Sequence, residues 1–137
     1  MEKANTRKPR IIIADDEADV LMLMEVILSR EGFDVEVSPN AENLMDKVTR
    51  QPPDIILLDV RMQGVDGEAI CKQLKTDRKT KKIPIILFSA NSDLEQIASN
   101  CGADDILRKP FRADVAREKF NRILAKSSFG LIRRFHS

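Results

Sequence analysis

The hydrophobic positions of this chain fall into two kinds of run. Short, continuous apolar stretches occur at Ile11-Ile12-Ile13-Ala14, Ile55-Ile56-Leu57-Leu58 and Ile85-Ile86-Leu87-Phe88. Each is too short for a helix and ends on a polar residue, as strands buried on both faces do. Phe33, Val35 and Val37 alternate with Asp34, Glu36 and Ser38, which predicts a half-exposed strand. Asp105-Ile106-Leu107-Arg108 predicts a short, charged one. Between these runs, apolar residues recur at helical spacing. Val20, Met24, Ile27 and Leu28 predict a first helix stopped by Gly32. Ala41, Leu44, Met45 and Val48 predict a second, capped by Asn40 and broken by Pro52-Pro53. Ile70, Cys71 and Leu74 mark a third, between Asp66 and about Asp77. Leu94, Ile97, Ala98 and Cys101 mark a fourth, capped by Asp93 and closed by Gly102. Ala116, Phe120, Ile123 and Leu124 mark a fifth, starting near Arg112 and ended by Gly130.

Strands alternating with helices imply an α/β fold with a parallel sheet covered on both faces. The first, third and fourth runs are continuously apolar, as central strands are, whereas the second alternates and the fifth is charged, as edge strands are. That gives the spatial order 2-1-3-4-5. Sites in such sheets form beyond the carboxyl ends of the strands where the winding reverses, here between strands one and three. Asp15-Asp16 ends strand one, Asp59 strand three, Ser89 strand four and Lys109 strand five. The topology gathers all five at one edge.

Length and charge narrow the class. A chain of 137 residues suits one domain with one core, and its apolar runs are all too short to span a bilayer. No apolar signal segment opens the chain, which implies a cytoplasmic protein without membrane attachment. Cys71 and Cys101 lack metal-ligand spacing and fall on apolar helix faces, which predicts buried thiols. Residues 1–10 and 126–137 each carry +3, so a total of +1 leaves −5 for residues 11–125. The basic ends lack the length and aromatic interleaving of a nucleic-acid surface, so no direct nucleic-acid binding is expected. The basic run Arg78-Lys79-Thr80-Lys81-Lys82 is expected to be a solvated turn.

Three carboxylates gathered at two strand ends repel one another unless a cation sits among them. Their oxygens suit Mg²⁺, which binds through a few carboxylates and keeps several waters. Lys109 supplies a point charge for an anion and Ser89 a hydroxyl donor. Such a set is suited to phosphoryl transfer, and a carboxylate among it offers its own nucleophile.

Asp15-Asp16, Leu58-Asp59-Val60-Arg61-Met62 with Gly64 and Asp66-Gly67, Ser89-Ala90, and Lys109-Pro110-Phe111 together resemble the receiver domain of bacterial two-component response regulators. The resemblance covers residues 9–126, leaving 1–8 and 127–137 as polar or basic extensions. It implies a flavodoxin-like (βα)5 fold. A chemotaxis member of this family has the 2-1-3-4-5 order, so the order and the resemblance are one observation rather than two. It further implies that Asp59 accepts a phosphoryl group from a sensor histidine kinase and that Ser89 and Lys109 bind the phosphoryl oxygens. Mg²⁺ would be held by Asp15, Asp16, Asp59 and the backbone carbonyl of Arg61. A cis peptide is implied at Lys109-Pro110. The expected role is a signalling domain, not an enzyme, that catalyses only its own phosphotransfer and autodephosphorylation. It would act as a monomer or weak homodimer, meeting a downstream protein through the fourth helix, fifth strand and fifth helix.

Two positions depart from the family pattern: Gln63 stands where proline is usual, and Ile106 where an aromatic switch residue is usual. Related expectations are a phosphorelay intermediate or the receiver part of a larger regulator. An Mg²⁺-dependent phosphatase of the haloacid-dehalogenase kind would need a second Asp two residues after the nucleophile, where this chain has Arg61. A flavin binder would need a phosphate-cradling loop after strand one, where this chain is acidic. The apolar tail residues Phe129, Leu131, Ile132 and Phe135, beside Arg133 and Arg134, fit a frayed end or a partner-binding segment equally well.

Overall fold

A computed structural model describes residues 7–62 and 64–126; Gln63, Gly130 and the apolar tail lie outside the described residues. Five parallel strands, β1 (Arg10–Ala14), β2 (Asp34–Ser38), β3 (Ile55–Asp59), β6 (Ile85–Ser89) and β7 (Asp105–Arg108), form one sheet. Two short strands, β4 (Arg61–Met62) and β5 (Val65–Asp66), pair antiparallel outside it, a ladder too short to show as periodicity. The sheet order is β2-β1-β3-β6-β7. Taken as the five sheet strands in chain order, that is the expected 2-1-3-4-5 winding. The helices are α1 (Ala18–Arg30), α2 (Leu44–Arg50), α3 (Gly67–Thr76), α4 (Leu94–Cys101) and α5 (Ala113–Lys126).

Alternate side chains of the central strands face opposite layers. Ile12, Ala14, Ile56, Leu58, Ile85 and Leu87 join the residues of α2, α3 and α4 in one core cluster. Ile11, Ile13, Ile55, Leu57, Ile86 and Phe88 join α1 and α5 in the other. Each fully buried isoleucine or leucine here contributes roughly 1.5–3 kcal/mol, which is what fixes the strand ends relative to each other. Phe33 meets Phe120 edge-on at 5.4 Å, tying the turn before β2 to α5. Cys71 and Cys101 are buried free thiols, and burial first, then the contact with Cys101, pushes the Cys71 thiol up.

The helix signals are read with uneven accuracy. Gly102 ends α4 in the left-handed region at φ 81°, as a C-terminal glycine does. Asp66 caps α3, accepting from the Glu68 N–H at 3.0 Å. Asp93 stands at the N-cap of α4, but its side chain makes no cap hydrogen bond. Asn40 accepts from the Asn43 N–H at 3.1 Å, which closes a turn, and α2 begins only at Leu44. The Lys109-Pro110 peptide is cis.

Gly67 matters for a reason other than turn flexibility. A Cβ built there lies 2.5 Å from the Asp59 carbonyl oxygen and 2.7 Å from both the Cα and the carbonyl oxygen of Val60. The first turn of α3 therefore rests directly on the backbone that carries Asp59, and the Gly67 N–H donates to the Val60 carbonyl at 3.0 Å. Those contacts are main chain and cannot swing aside. Gly67→Ala is expected to cost about 1–3 kcal/mol of overpacking strain, read as a lower urea midpoint. A midpoint equal to that of the unmodified chain would show that α3 is free to shift.

Candidate functional site

The site is built by register. β1 pairs with β3 through Ala14 and Leu58, so the residues just beyond, Asp15 and Asp59, leave the sheet side by side. β3 pairs with β6 through Asp59 and Phe88, which puts Ser89 one residue further along. β6 pairs with β7 through Ser89 and Arg108, and Lys109 follows. The five predicted residues thus reach the same edge, because parallel pairing of buried strands admits no slip without turning core residues outward.

Asp15 and Asp59 are buried, at 0% and 4% exposure, while Asp16 is exposed. Carboxylate oxygens of all three lie within 4.8 Å of one another. The Lys109 ammonium is 3.1 Å from Asp15 Oδ2 and 3.7 Å from Asp59 Oδ2. It also sits over the Phe88 ring, 4.5 Å from its centroid, so the lysine is positioned from below by a cation–π contact. Asp15 Oδ1 accepts from the Glu17 N–H at 2.9 Å. Asp59 Oδ1 accepts from the Arg61 N–H at 3.2 Å, which brings the Arg61 backbone to the site while its side chain stays exposed. The Ser89 hydroxyl accepts from the Asn91 N–H at 3.0 Å.

Burial pushes the Asp59 carboxyl up to about 6, and the charge of Asp15 adds to that rise. The Arg61 N–H and the Lys109 ammonium oppose it without cancelling it. One positive charge among three carboxylates leaves a net negative pocket of hard oxygen donors. That donor set fits a divalent cation such as Mg²⁺.

Beside this edge lies a groove that the helical spacing does not announce. Val20, Leu23, Met24 and Ile27 of α1 face Ala90, Lys109, Pro110 and Phe111 across a groove of about 390 Å³. Val20, Met24, Ile27 and Leu28 account for the core-facing side of α1, but Leu23 is 61% exposed and Met22 65%. The signal was present in the composition of the segment Val20-Leu21-Met22-Leu23-Met24, which is more apolar than one buried stripe requires.

Among solved structures, the chain is similar to the receiver domain of NtrX from Brucella abortus, at 30% identity and a TM-score of 0.77, covering 85% of this chain and 99% of that one. It is similar to the signal receiver domain of a signal transduction histidine kinase from Syntrophus aciditrophicus, at 28% identity and a TM-score of 0.79, covering 88% and 92%. It shares its fold with the receiver domain of sensor histidine kinase PA1611 from Pseudomonas aeruginosa PAO1, a structure with a magnesium ion coordinated in its active-site cleft, at 23% identity and a TM-score of 0.79, covering 86% and 98%. Residues 11–121 match the response regulator receiver domain model. The chain belongs to the response regulator receiver domain family.

Proposed function

We propose that this chain accepts a phosphoryl group on Asp59 from the phosphohistidine of a sensor histidine kinase, with Mg²⁺ as cofactor, and so switches a protein-interaction face in cytoplasmic two-component signalling. Receiver domains are signalling domains that pair with histidine kinases. The observation that carries the reading is the trio Asp15, Asp16 and Asp59 within 4.8 Å, with the Lys109 ammonium 3.7 Å from Asp59. An Asp59 carboxylate oxygen attacks phosphorus in line, the phosphorus–nitrogen bond breaks, and the imidazole leaves with the electron pair. An acyl phosphate on Asp59 results. Asp15, Asp16, Asp59 and the Arg61 carbonyl would hold Mg²⁺, which when bound neutralises charge on the transferring phosphoryl oxygens. Lys109 and the Ser89 hydroxyl bind the remaining phosphoryl oxygens. Residues 9–126 form the working unit in this reading.

The groove between α1 and Phe111 supplies the docking face for the kinase, since it is apolar and ends at Lys109. The output face is α4, β7 and α5. A relay, in which Asp59 passes its phosphoryl group to a histidine of another protein, is the second reading. The similarity to a receiver belonging to a histidine kinase favours keeping it.

Incubation with acetyl phosphate and Mg²⁺ is expected to add one phosphoryl mass to the intact chain and none to Asp59→Asn. Labelling of that variant would overturn the assignment of the acceptor. Leu23→Glu is expected to slow transfer from a histidine kinase by about tenfold, roughly the loss of one apolar side chain's burial, while leaving acetyl phosphate labelling unchanged. Equal slowing with both donors would place Leu23 in folding rather than docking.

The raised Asp59 carboxyl also fixes a dependence of stability on pH. Its ordinary value is 3.8 and its folded value about 6, so between the two the folded chain holds a proton that the unfolded chain has lost. Stability therefore falls as pH rises through that window and stays lowered above it. In metal-free protein, Asp59→Asn is expected to gain about 1–3 kcal/mol above the window, with the gain fading as pH falls towards about 4. Urea midpoints with a chelator present would test this. A gain independent of pH would show that Asp59 ionises normally.

A further inference from the structure

Arg108 stands in β7 opposite Ser89, two residues after Ile106. Its guanidinium donates to the Asn91 carbonyl at 2.8 Å and pairs with the Glu95 carboxylate in the first turn of α4. The Asn91 N–H in turn donates to the Ser89 hydroxyl at 3.0 Å. A continuous chain of hydrogen bonds thus runs from a residue at the phosphoacceptor site, through the loop after β6, to an exposed ion pair on the face formed by α4 and β7. Ile106 packs half-buried against the core cluster beneath α4 and has no ring to swing.

We propose that Arg108 is the latch of this receiver: its bridge from Asn91 to Glu95 holds the loop 90–93 in the unphosphorylated arrangement, and phosphorylation of Asp59 opens it. The inference rests on the phosphoacceptor reading of Asp59. Drawing the Ser89 hydroxyl onto a phosphoryl oxygen shifts the Asn91 amide bonded to it, and a hydrogen bond lost beyond about 3.5 Å leaves little room for that shift. Opening separates a guanidinium from a carboxylate at the surface, so the output is a change of charge pattern rather than the rotation of an aromatic ring. Coupling of this kind is reciprocal: whatever the latch contributes to the closed state, phosphorylation must overcome. Because the Ser89 hydroxyl must reach the phosphoryl group during transfer, the same cost enters the labelling rate, and removing the latch eases phosphorylation.

Because the Arg108 side chain is 43% exposed and the Glu95 side chain 71%, substitutions there leave the core intact. Amide hydrogen exchange of residues 90–95 in the unphosphorylated chain and labelling rates with acetyl phosphate and Mg²⁺ are to be compared for the unmodified chain, Arg108→Ala and Arg108→Lys. In Arg108→Ala, exchange across 90–95 and the labelling rate are both expected to rise about three- to tenfold, the size of one partly exposed charge-assisted hydrogen bond. Arg108→Lys, which keeps the charge but lacks the planar fork that spans both acceptors, is expected to fall between the two. Unchanged labelling in Arg108→Ala, whether or not exchange rises, overturns the latch while leaving Asp59 as acceptor. Failure of the unmodified chain itself to label would overturn the phosphoacceptor reading and the latch with it.

Discussion

Everything at the functional edge depends on holding Asp15 and Asp59, both buried, side by side against their mutual repulsion. The force that does so is not local. It is the register of β1 on β3, in which Ile11, Ile12 and Ile13 face Ile55, Ile56 and Leu57 with no exposed surface on any of them. A slip of one residue would separate the carboxylates, but would also turn buried isoleucines towards the wrong layer. Lys109 then supplies partial compensation from the fifth sheet strand, steadied by the Phe88 ring and 3.1 Å from Asp15. Burial first, and the charge of Asp15 after it, still hold the Asp59 carboxyl above its ordinary value. A pocket left short of positive charge is suited to take up both a cation and, with it, a phosphoryl group.

The three central strands were legible in the sequence because burial on two faces leaves an unambiguous mark: four apolar residues followed by a polar one. The site followed largely from the strands, since Asp15, Asp59 and Ser89 end their apolar runs and the register of β6 on β7 carries Lys109 to the same edge. Helix boundaries were less legible, because capping is decided by side-chain geometry and not by residue type. Asp66 and Asp93 are the same residue in the same position before a helix, yet only Asp66 accepts a backbone bond. Asn40 makes the bond expected of a cap but spends it on the turn that precedes α2. Asp66-Gly67 reads as a turn from its composition. Its glycine is required by the closeness of α3 to Asp59 and Val60, a tertiary contact that local sequence does not encode.

The same reasoning explains why the groove and the latch escape a reading by periodicity. Apolar spacing identifies which side of α1 meets the sheet, and Met24 and Leu28 fulfil it. It is silent on why Leu23 should also be apolar while exposed, and the position of Phe111 across the groove gives it a setting. Arg108 is likewise an ordinary charged residue at the end of an edge strand until the loop carrying Asn91 is seen to pass within reach.

These two features flank one acceptor on different sides. The α1 groove ends at Lys109, and the proposed latch begins at the Asn91 amide on Ser89, so each is anchored to a neighbour of Asp59 rather than to Asp59 itself. Asp59 is too deeply buried to contact a partner protein broadly, with a side chain only 5% exposed. In the proposed reading, Lys109 and Ser89 are therefore the side chains through which the state of Asp59 reaches the surface. Their backbones are joined, since the Lys109 N–H donates to the Ser89 carbonyl at 3.0 Å. In the proposed reading, two residues at the ends of adjacent strands would grip the same phosphoryl group and give both faces a common lever. With isoleucine at position 106, the part of that lever reaching α4 falls to the backbone of the loop after β6 and to the one charged side chain that holds it.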